Sequence, residues 1–95
     1  MITLYTKDHC PYCDSAKTLL KSLNEEYVEI DIMNNENARD YLINQGYKTV
    51  PQIYFEGKLL VEGGYTGLSK LSYDELQEKK RVIRESKWSN KSNDS

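Results

Sequence analysis

Short apolar runs along the chain alternate with longer segments in which apolar residues recur at helical spacing. A short run of β-branched and aromatic residues favours a strand. Such runs predict strands over residues 2–6, 27–32, 52–55 and 58–61. The dipeptide Glu56-Gly57 separates the last two runs and predicts a hairpin, because glycine readily adopts the positive φ of a two-residue turn.

Three segments are predicted to be helices, and in the first two apolar residues recur three or four positions apart, which is the period of one face of a helix. The first begins at Pro11, a residue that suits the first helical turn, where its missing N–H is not needed. The second follows Asn34-Asn35-Glu36 and ends near Gly46, which suits the left-handed conformation at a helix C-terminus. We expect the third helix to run unbroken from about Thr66 or Ser69 to the mid-eighties.

The predicted order of elements is strand, helix, strand, helix, strand, strand, helix. A strand–helix–strand crossover gives a right-handed parallel pair, and a hairpin adds antiparallel strands. We therefore predict an α/β fold of the three-layer, thioredoxin-like type: one mixed four-stranded sheet with helices on both faces. Residues 1–87 are expected to form the domain. Residues 88–95 are polar apart from Trp88, and we expect them to form a disordered tail.

Length and charge narrow the functional classes. A chain of 95 residues suits one domain, and 13 Lys and Arg against 15 Asp and Glu give a net charge of -2. That balance argues against a nucleic-acid partner, because proteins that follow phosphates are normally basic. No apolar run approaches the roughly 18 residues of a membrane span, and residues 1–5 lack a signal-peptide core. We expect a cytoplasmic monomer without a membrane partner.

The two cysteines, Cys10 and Cys13, form a C-x-x-C motif. A disulfide across so short a loop constrains the unfolded chain little, so the motif does not suggest a structural bridge. In a cytoplasmic chain, C-x-x-C indicates redox or metal chemistry. A structural zinc site requires four ligands, and only His9 adds a plausible soft ligand near the pair. We therefore interpret the two cysteines as redox-active and expect no metal.

The position of the motif predicts different roles for the two thiols. If a helix begins at Pro11, Cys10 is its N-cap and Cys13 lies one turn inside. The unpaired N–H groups and the positive end of the helix dipole favour a thiolate at Cys10. Lys7 adds a positive charge just before the motif, which Asp8 partly opposes. We predict that Cys10 is the attacking thiol and that Cys13 resolves the mixed disulfide.

Three motifs together resemble the dithiol glutaredoxins: Cys10-Pro11-Tyr12-Cys13, Thr49-Val50-Pro51-Gln52-Ile53 and Gly63-Gly64-Tyr65-Thr66. The resemblance extends from about Ile2 to Leu76. It implies a glutathione-dependent thiol–disulfide oxidoreductase that reduces protein disulfides and glutathione mixed disulfides. Glutathione would be a co-substrate, and no cofactor would be bound permanently. Ribonucleotide reductase is a typical protein client of this family.

The resemblance also implies a glutathione site beside the cysteines. Pro51 is expected to be cis and to present the backbone of Val50 to glutathione in a strand-like manner. The segment after the glycine pair would hold the γ-glutamyl end, Lys7 and Arg39 would meet the glycine carboxylate, and Tyr12 would flank the sulfur. The implied binding residues are Lys7, Tyr12, Arg39, Thr49, Val50, Pro51, Gly64, Tyr65 and Thr66.

Plainer interpretations of these residues stay open. Pro51 is also typical of the first residue of a strand, and the glycine pair is typical of a turn that needs positive φ. Lys7 and Arg39 have the alternative of being solvated charges on the surface.

Gly67 departs from the family pattern, which usually has an aspartate here that meets the α-amino group of glutathione. Losing such a bond at an exposed site weakens binding about tenfold, unless Glu62 or Asp74 compensates. One alternative is therefore a thioredoxin-like carrier reduced by a thioredoxin reductase. Another is a dimeric iron–sulfur cluster carrier, against which Pro11 and Cys13 both argue.

Overall fold

The structure, a computed structural model, describes the backbone of residues 1–93 and the side chains of residues 1–86. Within this part of the chain, strands and helices alternate as far as a terminal hairpin, which two helices follow. The elements are β1 (Ile2–Thr6), α1 (Pro11–Ser22), β2 (Tyr27–Asp31), α2 (Glu36–Asn44), β3 (Gln52–Phe55), β4 (Lys58–Val61), α3 (Gly64–Ser69) and α4 (Tyr73–Asn93).

The four strands form one mixed sheet in the order β2-β1-β3-β4. β1 is parallel to β2 and antiparallel to β3, and β3 is antiparallel to β4. The hairpin turns at Glu56 and Gly57, whose φ angles of 51° and 81° are both positive, as a tight two-residue turn requires. The predicted sheet and its hairpin are confirmed.

One face of the sheet carries the main hydrophobic core. Side chains alternate across a strand, so Ile2, Leu4 and Thr6 of β1 point to the same face, and all three are buried. Helices α1, α3 and α4 pack on this face and exclude water from it. The apolar side chains that they contribute to the core are Ala16, Leu20, Leu68 and Leu76.

The opposite face is covered by α2 through a cluster of three tyrosines. The ring centres of Tyr5 and Tyr54 lie 5.5 Å apart, and Tyr41 of α2 lies 5.7 Å from Tyr54. Tyr54 is 3% exposed, and burial, with a smaller contribution from Tyr41, raises the pKa of its hydroxyl to about 12. Helices therefore lie on both faces of the sheet, as predicted.

Helix α4 is held against the sheet at the end remote from the cysteines. The carboxylate of Glu25 accepts hydrogen bonds of 2.6 Å from Lys80 Nζ and from Gln77 Nε2. The side chains of Glu25 and Lys80 are 7% and 17% exposed, so losing either partner would leave an uncompensated buried charge. Lys80 and Arg84 also lie over the ring of Phe55, at 5.4 and 5.6 Å from its centre.

The prediction of one unbroken third helix was wrong, because α3 and α4 are separate helices. The break lies at residues 70–72 and is stabilised by a capping box. The Glu75 N–H donates to Ser72 Oγ at 3.1 Å, and the Ser72 N–H donates to Glu75 Oε1 at 2.9 Å. This reciprocal pair satisfies N–H groups that a helix start leaves unpaired, so the Ser-x-x-Glu sequence begins a new helix here.

The C-terminal part of α4 reaches into the segment that the sequence analysis treated as a tail. The helix runs to Asn93, whereas side chains beyond residue 86 and the whole of Asp94 and Ser95 lie outside the described residues. The expected tail at 88–95 and the domain limit at 87 therefore stay predictions. Among residues 1–93, no helix combines the length and apolar character that crossing a membrane would require.

Replacing Ser72 by alanine is expected to lower the free energy of unfolding by about 1 kcal/mol, because the capping hydroxyl is lost. Urea denaturation followed by circular dichroism measures this change. The matched control is Ser72→Thr, which keeps a capping hydroxyl and should retain most of the stability. Equal losses in the two variants would contradict the capping role.

The capping box of Ser72 and Glu75 also predicts that the stability of the protein depends on pH. The Ser72 N–H, followed by the Ser72 hydroxyl, lowers the pKa of Glu75 below its ordinary value. The contribution of this carboxylate is therefore present above the ordinary glutamate pKa and is lost as pH falls through the lowered value. The stability difference between the wild type and Glu75→Gln should shrink over that acidic range.

Candidate active site

Cys10 occupies the N-cap of α1, and Pro11 is the first helical residue. The backbone of Cys10 is extended, with φ -118° and ψ 99°, and its sulfur accepts a hydrogen bond from the Cys13 N–H at 3.2 Å. Free N–H groups at a helix start stabilise negative charge on an adjacent sulfur. The predicted position of Cys10 at the open end of the helix is confirmed.

The two cysteines differ in access although they are bonded to each other. They form a disulfide with their Cα atoms 5.2 Å apart. Cys10 is 8% exposed, whereas Cys13 is 1% exposed and lies one turn into α1. An incoming sulfur therefore reaches Cys10 more easily than Cys13, and the division of roles between the two thiols stays a prediction.

A polar network fixes the start of α1 against the sheet. Glu29 of β2 accepts a hydrogen bond of 2.8 Å from Thr6 Oγ1, and its carboxylate lies 3.2 Å from Lys17 Nζ of α1. Lys17 also pairs with Asp14 at 3.4 Å. These partners, Glu29 foremost, raise the pKa of Lys17. The helix that carries both cysteines is thus tied to the middle of β2, and through Glu29 to the last residue of β1.

The segment before β3 lies directly beside Cys10. The Val50–Pro51 peptide bond is cis, as the resemblance implied, and the Val50 carbonyl oxygen lies 3.9 Å from Cys10 Sγ. The buried Gln52 side chain holds this segment, since its Nε2 donates to the Thr49 carbonyl at 2.9 Å and to Thr49 Oγ1 at 3.3 Å. The backbone of Val50 is therefore presented next to the reactive sulfur.

The glycine pair forms the third side of the site. Gly63 and Gly64 have φ angles of 84° and 57°, so the interpretation as a turn that needs positive φ is confirmed. A Cβ on Gly64 would lie 2.7 Å from the Pro51 carbonyl oxygen, closer than side chains approach a backbone atom. Glycine at position 64 thus allows the start of α3 to pack onto the Pro51 segment.

The structure gives a physical reason for the glycine at position 67. A Cβ there would overlap the Glu62 carbonyl oxygen and lie 2.9 Å from Cγ1 of Val61. Position 67 therefore accepts no side chain unless the connection between β4 and α3 moves. An aspartate, which the family usually has here, does not fit this backbone.

A groove of about 430 Å³ lies between these segments. Tyr12, which is 63% exposed, stacks on Tyr65 at its rim, with ring centres 6.1 Å apart and planes inclined by 26°. Most of the predicted binding residues line the groove. They are Tyr12, Thr49, Val50, Pro51, Gly64, Tyr65 and Thr66.

Two predicted residues lie outside the groove, and several of its residues were not predicted. Lys7 and Arg39 are exposed and do not line it. Gln52 and Gly63 were within reach of the sequence analysis, because they belong to the motifs that carry the resemblance. No sequence signal marks Tyr47, and the sequence suggests Glu62 only as a charge that could replace the missing aspartate. The residues that line the groove but were missing from the predicted set are Tyr47, Gln52, Glu62 and Gly63.

The sheet topology is that of the thioredoxin fold, and a redox-active cysteine pair lies at the start of its first helix. Together these two features define a thiol–disulfide oxidoreductase. The glutaredoxin family model matches residues 2–60. Glutaredoxin 3 of Escherichia coli strain K12 is 40% identical over 58 residues, which cover 60% of this chain and 70% of that protein. This chain belongs to the glutaredoxin family.

Solved structures show the same fold at lower identity. A buckwheat glutaredoxin in complex with glutathione matches with a TM-score of 0.61 and 23% identity over 86% of this chain and 73% of that one. NrdH-redoxin from Escherichia coli, a glutaredoxin-like protein described by its thioredoxin-like activity profile, matches with a TM-score of 0.57 and 23% identity. That match covers 59% of this chain and 74% of NrdH-redoxin.

Replacing Gly64 by alanine is expected to displace the Pro51 segment and to lower both stability and disulfide-reductase activity. The matched control is Gly57→Ala, since Gly57 also has positive φ but nothing lies within 4 Å of its Cβ position. Gly57→Ala should lower the free energy of unfolding by about 1–2 kcal/mol, the cost of a positive φ at alanine, and should not lower the activity. Urea denaturation and the rate of reduction of a mixed disulfide measure the two effects. Equal effects on activity would contradict the close contact with Pro51.

Proposed function

We propose that this protein is a glutathione-dependent oxidoreductase that reduces protein disulfides and glutathione mixed disulfides. The observation that carries the proposal is the asymmetry of the dithiol. The sulfur of Cys10 lies at the open start of α1, 3.9 Å from the Val50 carbonyl oxygen, while Cys13 is buried one turn further on. Membership of the glutaredoxin family supports this reading.

Reduction of a client begins at Cys10. Its thiolate attacks one sulfur of the client disulfide, forms a mixed disulfide with it and releases the other client sulfur as a thiolate. Cys13 then loses its proton and attacks the sulfur of Cys10. The bond between Cys10 and the client breaks, the second client sulfur leaves as a thiolate, and the protein is left with the Cys10–Cys13 disulfide that the structure contains.

Two glutathione molecules restore the dithiol. The first glutathione thiolate attacks Cys10, the more accessible sulfur, and Cys13 leaves as a thiolate and takes up a proton. The second attacks the sulfur of the bound glutathione and releases glutathione disulfide together with the Cys10 thiolate. In sum, one client disulfide and two glutathiones become two client thiols and one glutathione disulfide.

The groove offers backbone and aromatic contacts to glutathione. The backbone of Val50, a residue that lines the groove beside Cys10, suits pairing with an extended peptide, and the stacked rings of Tyr12 and Tyr65 form a wall of the groove. Lys7 and Arg39 would reach a carboxylate only from outside the groove. A dithiol stays reduced in a reducing compartment, so the proposal includes a cytoplasmic location. It also includes a monomeric state and clients such as ribonucleotide reductase.

Replacing each cysteine by serine tests the roles of the two thiols. Cys10→Ser should abolish all reductase activity, because the attacking sulfur is lost. Cys13→Ser should lose reduction of protein disulfides and retain turnover of glutathione mixed disulfides, for which Cys10 suffices. Rates with an insulin-type protein disulfide and with a glutathionylated small thiol measure the split. Full reduction of the protein disulfide by Cys13→Ser would refute the resolving role.

A second candidate is a thioredoxin-like carrier that a thioredoxin reductase reduces. The charges of the groove favour this second candidate. None of the described residues that line the groove is cationic, and an aspartate does not fit at position 67 on this backbone, so the groove offers few charged contacts to glutathione. NrdH-redoxin shows that a glutaredoxin-like protein of this fold has a thioredoxin-like activity profile.

Coupling to a reductase distinguishes the two candidates. We expect oxidation of NADPH when the protein, a disulfide substrate, glutathione and glutathione reductase are mixed. Omitting glutathione should stop the reaction. Turnover with thioredoxin reductase and none with the glutathione system would overturn the proposed electron source while leaving the roles of the cysteines intact.

A further inference from the structure

One charged residue lines the groove beside Cys10. Among the described residues that line it, only Glu62 carries a formal charge. Glu62 is exposed, and it also lines a neighbouring cleft whose only cationic residue in the described part of the chain is Lys79. None of the ion pairs between described side chains involves Glu62. Asp74, the other acid considered from the sequence, lies outside the groove. The carboxylate of Glu62 is therefore available to a bound molecule.

The backbone of Glu62 is held in place by the helix that follows. α3 packs so closely on the Glu62 carbonyl that Gly67 has no room for a Cβ. The Gly67 N–H also donates to the Gly63 carbonyl at 3.3 Å, which closes the turn after Glu62. A residue whose backbone is fixed in this way presents its side chain from a defined point at the end of β4.

Aromatic rings complete the surroundings. Tyr12 and Tyr65 stack at the rim of the groove, and Tyr47 also lines it. The faces of aromatic rings attract cations, as does a carboxylate. No cationic side chain lines the groove within the described part of the chain to compete for them. The groove therefore has the composition of a site for a positively charged group.

We propose that Glu62 is a specificity-determining residue that favours disulfide partners carrying an ammonium or guanidinium group close to the reacting sulfur. The inference rests on the proposed function, since it concerns the partner that forms a mixed disulfide with Cys10. The cation has two possible sources: the α-ammonium of glutathione, or a Lys or Arg side chain near the cystine of a client protein. Both have the same chemistry, so the test separates them.

The test compares mixed disulfides that differ in a single charge. One series uses a short cysteine peptide with lysine, acetyl-lysine or glutamate at successive positions around the cysteine. The other uses glutathione and the analogue in which hydrogen replaces its α-ammonium group. Each compound is supplied as a mixed disulfide with the same small thiol, and kcat/KM is measured for Cys13→Ser, so that only Cys10 acts.

Three proteins are compared, all of which carry Cys13→Ser: the parent with Glu62 unchanged, Glu62→Gln and Glu62→Lys. The parent should prefer lysine over acetyl-lysine about three- to tenfold at the best position, and intact glutathione over its analogue by a similar factor. Glu62→Gln should bring these ratios close to one. Glu62→Lys should reverse the preference between the lysine and glutamate peptides, and added salt should weaken each preference.

The matched control is Glu26→Gln, which removes an exposed carboxylate far from the groove. Glu26 precedes Tyr27, which pairs with Ile2 at the end of β1 remote from Cys10. This variant should keep the ratios of the parent. Denaturation curves establish that the Glu62 variants remain folded.

The outcomes separate the inference from the function on which it rests. Charge preference in the peptide series alone assigns Glu62 to clients, and preference in the glutathione series alone assigns it to the reductant. Equal ratios in the parent and Glu62→Gln would overturn the inference, as would a parent without any preference, and both leave the oxidoreductase intact. If the parent turned over none of the mixed disulfides, the proposed function itself would fail.

Discussion

The N–H of Cys13 points at the sulfur of Cys10 from 3.2 Å, and the reactivity of the protein depends on this arrangement. The bond exists because Pro11 starts a helix immediately after Cys10, so that the sulfur takes the place of a capping oxygen. Two consequences follow from one geometry: negative charge on the sulfur of Cys10 is stabilised, and Cys13 is brought within reach of the bond that it must break.

The rest of the site is built by close approach of backbones around that sulfur. The Val50 carbonyl borders Cys10, Gly64 lies against Pro51, and Gly67 lies against Glu62. The two glycine contacts bring backbones closer than a side chain at either glycine would permit. The shape of the groove therefore depends on these glycines, and the side chains of residues such as Tyr12 and Tyr65 line it.

The sheet, the first two helices and the place of the cysteines were predictable, because each depends on local signals: apolar period, Pro11 at a helix start and Gly57 in a tight turn. The break between α3 and α4 was missed although Ser72 and Glu75 have the spacing of a capping box. Leucines lie on both sides of the break, at positions 68, 71 and 76, and they favoured one helix. The places of Lys7 and Arg39 relative to the groove were beyond prediction. The position of a charged residue in the sequence does not indicate which loop its side chain faces on the surface. For the same reason the sequence did not predict that Glu62 lines the groove.

The contact between Gly67 and the Glu62 carbonyl also constrains how the protein can evolve. A single substitution that adds a carboxylate at position 67 collides with the main chain before it gains any contact with a ligand. A lineage that acquires an acid there must first lengthen or reshape the connection between β4 and α3. Position 62 is exposed and already carries a carboxylate, so an acid beside this groove is present without any change in that connection.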